Sequence, residues 1–140
     1  MEETKFRAIG SVDTNWYYGQ YVKCNSYKET VDCIVDDENN FLEIDPDTIG
    51  RFTGRYDKFK TEVYESDIIA HDYGYGVVKF GRFLYDTAED RGLEFIGFYV
   101  EWNIQLIAGN RYEFIGSLGF VEDLEVIGNI YKDSKFLKTT

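Results

Sequence analysis

The sequence predicts a mainly β protein, a single compact domain of antiparallel strands with one or two short helical turns. Three observations carry that expectation. Ile, Val, Phe, Tyr and Trp number 47 of 140 residues against 12 for Ala, Leu and Met, a balance that favours pleated, half-buried surfaces over helices. Several stretches repeat apolar residues at every second position, the period of a strand. Glycine and short polar clusters then punctuate the chain at intervals suited to turns.

Taken in order, residues 5–9, 16–23, 31–35 and 41–44 are short candidate strands, each bounded by polar residues or glycine. Asp45 precedes Pro46, an N-cap residue before a proline at the first helical position, so one helical turn is expected over 45–48. Residues 63–70 and 75–85 read as the two strands of a hairpin joined by His71-Asp72-Tyr73-Gly74, with Gly74 and Gly76 supplying positive φ for the reversal. From Leu93 to Trp102 apolar side chains fall on both faces, the pattern of a central strand. Residues 124–131 alternate more cleanly, with Leu124, Val126 and Ile130 opposite Glu125 and Asn129, which reads as a strand with one wet face. Asp133-Ser134 marks the start of a short terminal helix through Leu137.

A chain of 140 residues and 16.4 kDa buries enough surface, roughly 65–70% of what it exposes unfolded, to stand without disulfide or metal staples. Eleven of the 13 glycines lie at or after Gly50, which suggests subdomains 1–60 and 61–140 inside one domain, 1–140. No linker-like stretch or fixed-period repeat divides them.

Fifteen basic against 26 acidic side chains give a net charge of −11, which repels phosphate backbones and argues against nonspecific nucleic-acid binding. Residues 51–60 reverse the trend, with Arg51, Arg55, Lys58 and Lys60 against Asp57 alone. This spot is either a solvated, charge-balanced turn or a contact for an anion or partner. The aromatics Trp16, Tyr17, Tyr18 and Tyr21, and Tyr73 and Tyr75 beside the hairpin turn, are read as strand packing or as a protein interface. The candidate partner contacts are therefore Arg51, Arg55, Lys58, Lys60, Tyr73 and Tyr75.

Machinery for bond-making is sparse. Cys24 and Cys33 lack the spacing and companions of a zinc site, and read as small buried hydrophobes in strands. No apolar run follows Met1-Glu2-Glu3-Thr4-Lys5, so neither a signal peptide nor a membrane span is expected, and both thiols should stay reduced in a cytoplasm. One histidine, His71, cannot build a multi-histidine centre, and Gly116-Ser117-Leu118-Gly119 only superficially resembles a nucleophile elbow. Neither phosphate-binding glycine signature occurs. The clusters Asp36-Asp37-Glu38 and Glu122-Asp123-Glu125 have the oxygens for a cation or an acid/base pair but not EF-hand spacing, and they also read as solvated turns. No catalytic residue, metal or cofactor is assigned.

Three motifs in order, Thr48-Ile49-Gly50-Arg51-Phe52-Thr53-Gly54 with Asp57-Lys58, Val63-Tyr64-Glu65-Ser66-Asp67-Ile68-Ile69, and Glu125-Val126-Ile127-Gly128-Asn129-Ile130-Tyr131, resemble the YopX family of bacteriophage and prophage proteins. Lys5-Phe6-Arg7-Ala8, Trp16 and Tyr18-Gly19 are similar to that family's opening. Ser66 departs from the pattern, which commonly has glycine there; a positive φ at this turn would make serine costly. The resemblance implies a mostly β, phage-encoded protein of the bacterial cytoplasm with no established activity and no catalytic residues to transfer. The 64–69 and 76–80 segments also look like the start of an SH3-like small barrel, so the expected architecture is a partly open barrel of that kind plus additional N-terminal strands.

The functional expectation is a non-enzymatic, self-associating protein-binding module acting without a cofactor or membrane. Two other classes are carried beside it. One is an acidic decoy that occupies the nucleic-acid site of a host protein, with steep salt dependence. The other is a carboxylate-dependent hydrolase, which requires Asp36, Asp37, Glu122 or Asp123 to converge in a cleft.

Overall fold

A computed structural model describes residues 5–25, 27–71, 74–85, 93–105, 111–117 and 123–133. The fold is mainly β, with antiparallel pairing throughout the described strands. It divides into two compact units, Met1–Phe52 and Thr53–Thr140. Among the described residues no helix is long and apolar enough to cross a membrane.

The first unit holds β1 (Phe6–Ile9), β2 (Trp16–Asn25), β3 (Thr30–Val35) and β4 (Phe41–Glu43), followed by a 3-10 turn at Pro46–Thr48. Their order is β4-β3-β2-β1, with the first residues of β5 (Gly50–Tyr56) next to β1. The 3-10 turn forms as its sequence dictates: Asp45 caps it by accepting from the Asp47 N–H at 3.0 Å, and Pro46 opens it. Thr48, buried beneath, accepts from Ile9 N at 2.8 Å and donates to Asp45 O at 2.7 Å, tying the turn to β1. Ala8, Ile34 and Ile44 form the buried core, with Phe6, Tyr17, Tyr21 and Ile49 packed against it. Gly19 admits no side chain, since a Cβ there would lie 2.0 Å from the carbonyl oxygen of Val35.

In the second unit the last residues of β5 lie beside β6 (Glu62–Tyr64), and Thr53 Oγ1 donates to Val63 O at 2.7 Å. A five-stranded sheet follows in the order β10-β9-β8-β7-β11, built from β7 (Asp67–His71), β8 (Gly74–Tyr85), β9 (Leu93–Gln105), β10 (Arg111–Ser117) and β11 (Glu125–Asn129). Val63, Ile69, Val78, Val100, Trp102 and Leu124 make its core. The register of β11 on β7 shifts between Val126 and Gly128, a bulge in the last strand of the order. As described, the strand orders are open rather than closed into a barrel.

Three expectations change. Residues 63–70 are two strands, because the backbone turns at Glu65-Ser66 with φ of 76° at Ser66. The polar Glu65-Ser66-Asp67 between Val63-Tyr64 and Ile68-Ile69-Ala70 marks that break. Residues 50–56, expected to open a charged turn, are strand β5: its two glycines and two arginines obscure the alternation, and its backbone pairs with β1 nonetheless. Arg51 and Arg55 therefore sit on a strand, and Lys58 and Lys60 in the turn that follows. Gly74 has a positive φ of 140°, but Gly76 is not among the positive-φ residues. It is required for space, since a Cβ would fall 2.4 Å from Val100 Cγ1 and 2.8 Å from Trp102 Cε3. The terminal helix expected from 134 onward lies outside the described residues.

Candidate interaction surface

The cationic spot is organised by its one acid. Asp57 is 7% exposed, and its Oδ1 accepts from Phe59 N at 2.9 Å and Thr61 N at 2.8 Å while Oδ2 accepts from Val126 N at 3.0 Å. Burial disfavours its charge, but the N–H donors of Val126, Thr61 and Phe59 outweigh that penalty and hold its pKa below the usual carboxylate range. Lys60 takes φ of 68° to close the turn. Lys58 reaches Glu125 at 3.6 Å with both side chains well exposed, a pairing worth little. Arg51 belongs to the first unit, and Arg55, Lys58 and Lys60 to the second. Tyr75 is 40% exposed on β8, whereas Tyr73 lies outside the described residues.

The aromatic run at 16–21 splits by strand period. Tyr17 and Tyr21 face the first unit's core, and Tyr21 Oη donates to Asp32 Oδ1 at 2.5 Å. That hydrogen bond to a carboxylate, with burial, raises the Tyr21 pKa. Trp16 and Tyr18 alternate to the other face, where the Arg7 guanidinium lies 4.3 Å from the Trp16 ring centroid and Lys5 Nζ lies 6.0 Å from the rings of Tyr18 and Phe52. These cations are held on aromatic faces of their own unit.

The acidic clusters supply turns. Asp36 Oδ1 accepts from Glu38 N and Asn40 N, each at 2.9 Å, and Oδ2 from Asn40 Nδ2 at 3.1 Å. The Asn40 backbone and side-chain hydrogen bonds, with Glu38, lower its pKa. Asp36 and Asp37 border an open groove of about 360 Å³ together with Lys5 and Gln20. Asp123 is exposed in the second unit, and Glu122 lies outside the described residues. No group of three or more His, Cys, Asp or Glu side chains placed to hold a metal occurs among the described residues. Cys24 is half-buried and Cys33 buried, both as free thiols; burial and a hydrogen bond with Cys24 push the Cys33 pKa up.

A surface absent from the sequence expectations stands on β8 and β9. Among the described residues β7 pairs with β8 over Gly74 to Val77, and β10 pairs with β9 as far as Tyr99. Residues 79–85 and 93–98 consequently form a two-stranded ribbon that, among the described residues, pairs only with itself. Phe83 is buried on one face of it, stacked on Phe95 at 5.5 Å and tilted against Tyr99 at 5.1 Å. Ile96, directly opposite Arg82, is 71% exposed, and Phe95 is 42% exposed. The cause is unequal length: the 12 residues of β8 outrun the five of β7, and the 13 of β9 outrun the seven described in β10.

Comparison with known proteins agrees with the motifs. No curated protein matches the chain. The family described as YopX protein matches residues 5–138, nearly the entire length. The glycine-like turn at Ser66, the Asp57 turn and the Gly128-Asn129 segment all lie inside that span, and the chain belongs to the YopX family.

Proposed function

We propose that this protein is a phage- or prophage-encoded, non-enzymatic protein-binding module of the bacterial cytoplasm whose first partner is a second copy of itself. The observation that carries the reading is the β8–β9 ribbon, which leaves Ile96 and part of Phe95 in water although both side chains would gain from burial. Tyr75, also partly exposed on β8, adds apolar surface on the same strand. Asp36, one of the carboxylates considered for chemistry, supports this reading in a second way, because its oxygens accept from the N–H groups of Glu38 and Asn40 and from the Asn40 side-chain amide.

Sedimentation velocity over a wide protein concentration range tests the reading. A weight-average mass that rises toward a multiple of the chain mass supports it. A strict monomer at the highest concentration removes self-association.

A further inference from the structure

We infer that two copies meet face to face through the outer ribbon of β8 and β9, with Ile96 at the centre and Arg82 of each copy against Glu94 of the other. The inference rests on the self-association proposed above and names its surface. By register, Arg82 is opposite Ile96, and Glu94 is the next residue on that face of β9. Among the described side chains, the outer part of that face thus presents Ile96, 71% exposed, beside the cation of Arg82 and the anion of Glu94. Arg82 Nε and Glu94 Oε1 lie 2.6 Å apart within one chain, yet the two side chains remain 76% and 45% exposed and open to a second partner. An isolated pair this exposed contributes little to the stability of one copy.

The occupant follows from charge. A patch carrying one positive and one negative group beside an apolar centre is self-complementary under a two-fold axis, since rotation lays each group on its opposite. A strongly basic or strongly acidic partner would leave one of the two groups facing its own sign. Net charge of −11 opposes contact between copies over most of the surface, so a face where Arg82 balances Glu94 is a place where two copies can approach. Phe80 and Phe98, edge to face at 4.9 Å behind Ile96, continue the apolar surface inward toward Val78 and Val100 and stiffen the ribbon.

The test uses the full chain and three variants, Ile96→Lys, Arg82→Glu and Glu94→Arg, each followed by sedimentation and by circular dichroism as a check of folding. Ile96→Lys is expected to weaken association by about 30-fold or more, the size of an interface anchor, with an unchanged melting midpoint. Arg82→Glu and Glu94→Arg, each alone, are expected to weaken self-association, because each makes the face carry a single sign. Mixed together in equal amounts they should associate with each other, which an ion pair confined to one chain cannot produce. If the wild type associates but Ile96→Lys associates equally well, or the mixture stays apart, this surface is wrong while self-association stands. If the wild type is monomeric, the proposed function itself fails.

Discussion

The first unit closes over three buried aliphatic residues, Ala8, Ile34 and Ile44, and leans on half-buried rings such as Phe6, Tyr17 and Tyr21. Among the described residues the second closes over six, including Trp102, and carries two carboxylates deep inside it, Asp57 at 7% and Asp67 at 1% exposed. The polar ties differ in the same direction. In the first unit the carboxylates that accept lie near the surface, as in Asp36 with the N–H groups of Glu38 and Asn40 and Asp13 with Tyr17. In the second the ties run from buried carboxylates to backbone N–H groups, as in Tyr64 N to Asp67 Oδ2 at 2.7 Å. A larger apolar core excludes water from such bonds and makes each one costlier to lose. The second unit should therefore be the more stable of the two, and its turns the more sensitive to single changes.

The sharpest way to break that contrast is a pair of truncations. Trp102→Ala is expected to cost about 3–5 kcal/mol, and Ile34→Ala about 3 kcal/mol from a smaller core. Urea unfolding followed by circular dichroism measures both, and a larger loss at Ile34 would reverse the ranking of the units.

Asp57 comes next. Replacing it by alanine removes the acceptor of three N–H groups, two in its own turn and one at Val126, and should cost about 2–4 kcal/mol. Its pH dependence has a definite sign. Because the folded pKa is depressed, the charged carboxylate stabilises the fold above the unfolded pKa of about 3.9, and that stabilisation is lost as pH falls through the folded value. The gap in unfolding free energy between wild type and Asp57→Asn should therefore be full at neutral pH and shrink in acid below about pH 4. A gap that is constant from pH 7 to pH 3 would assign the effect to shape instead of charge.

The smallest expected effect is a gain. Ser66 holds φ of 76°, donates its N–H to Val78 O at 2.7 Å and accepts from Ile130 N at 3.0 Å, so its backbone is fixed in the left-handed region from both sides. Ser66→Gly removes the side-chain penalty and should stabilise the second unit by about 1 kcal/mol, seen as a higher melting midpoint. An unchanged or lower midpoint would show that the Ser66 side chain contributes something that offsets its strain.

The β class was legible because 47 Ile, Val, Phe, Tyr and Trp residues are hard to place otherwise, and the turn at 46–48 because Asp45 and Pro46 specify it locally. What escaped depended on distance in the chain. The break at Ser66 is held by hydrogen bonds to Val78 and Ile130, and its local marks in the sequence are the polar Glu65-Ser66-Asp67 and the family's glycine at that position. β5 escaped for the opposite reason, since its pairing with β1 overrides a composition rich in glycine and arginine. Of the candidate contacts, Arg51, Arg55, Lys58 and Lys60 were visible as a charge run, but Asp57 had no visible role until Val126, 69 residues away, supplied a donor. The exposed ribbon was illegible because exposure depends on where β7 and β10 stop, and local patterning says nothing about a neighbour's length.

The bulge in β11 bears on how the protein behaves when crowded. An unbroken outermost strand is a template on which further copies can stack without limit, yielding fibres instead of a defined particle. Here the ladder skips at Ile127, and Asn129 Oδ1 accepts from Tyr131 N and Lys132 N while the Asp133 carboxylate accepts from Asn129 N, so the chain turns away just past the skip. That rim of the sheet is thereby made a poor seed for polymerisation, and copies can accumulate without running on into filaments through it.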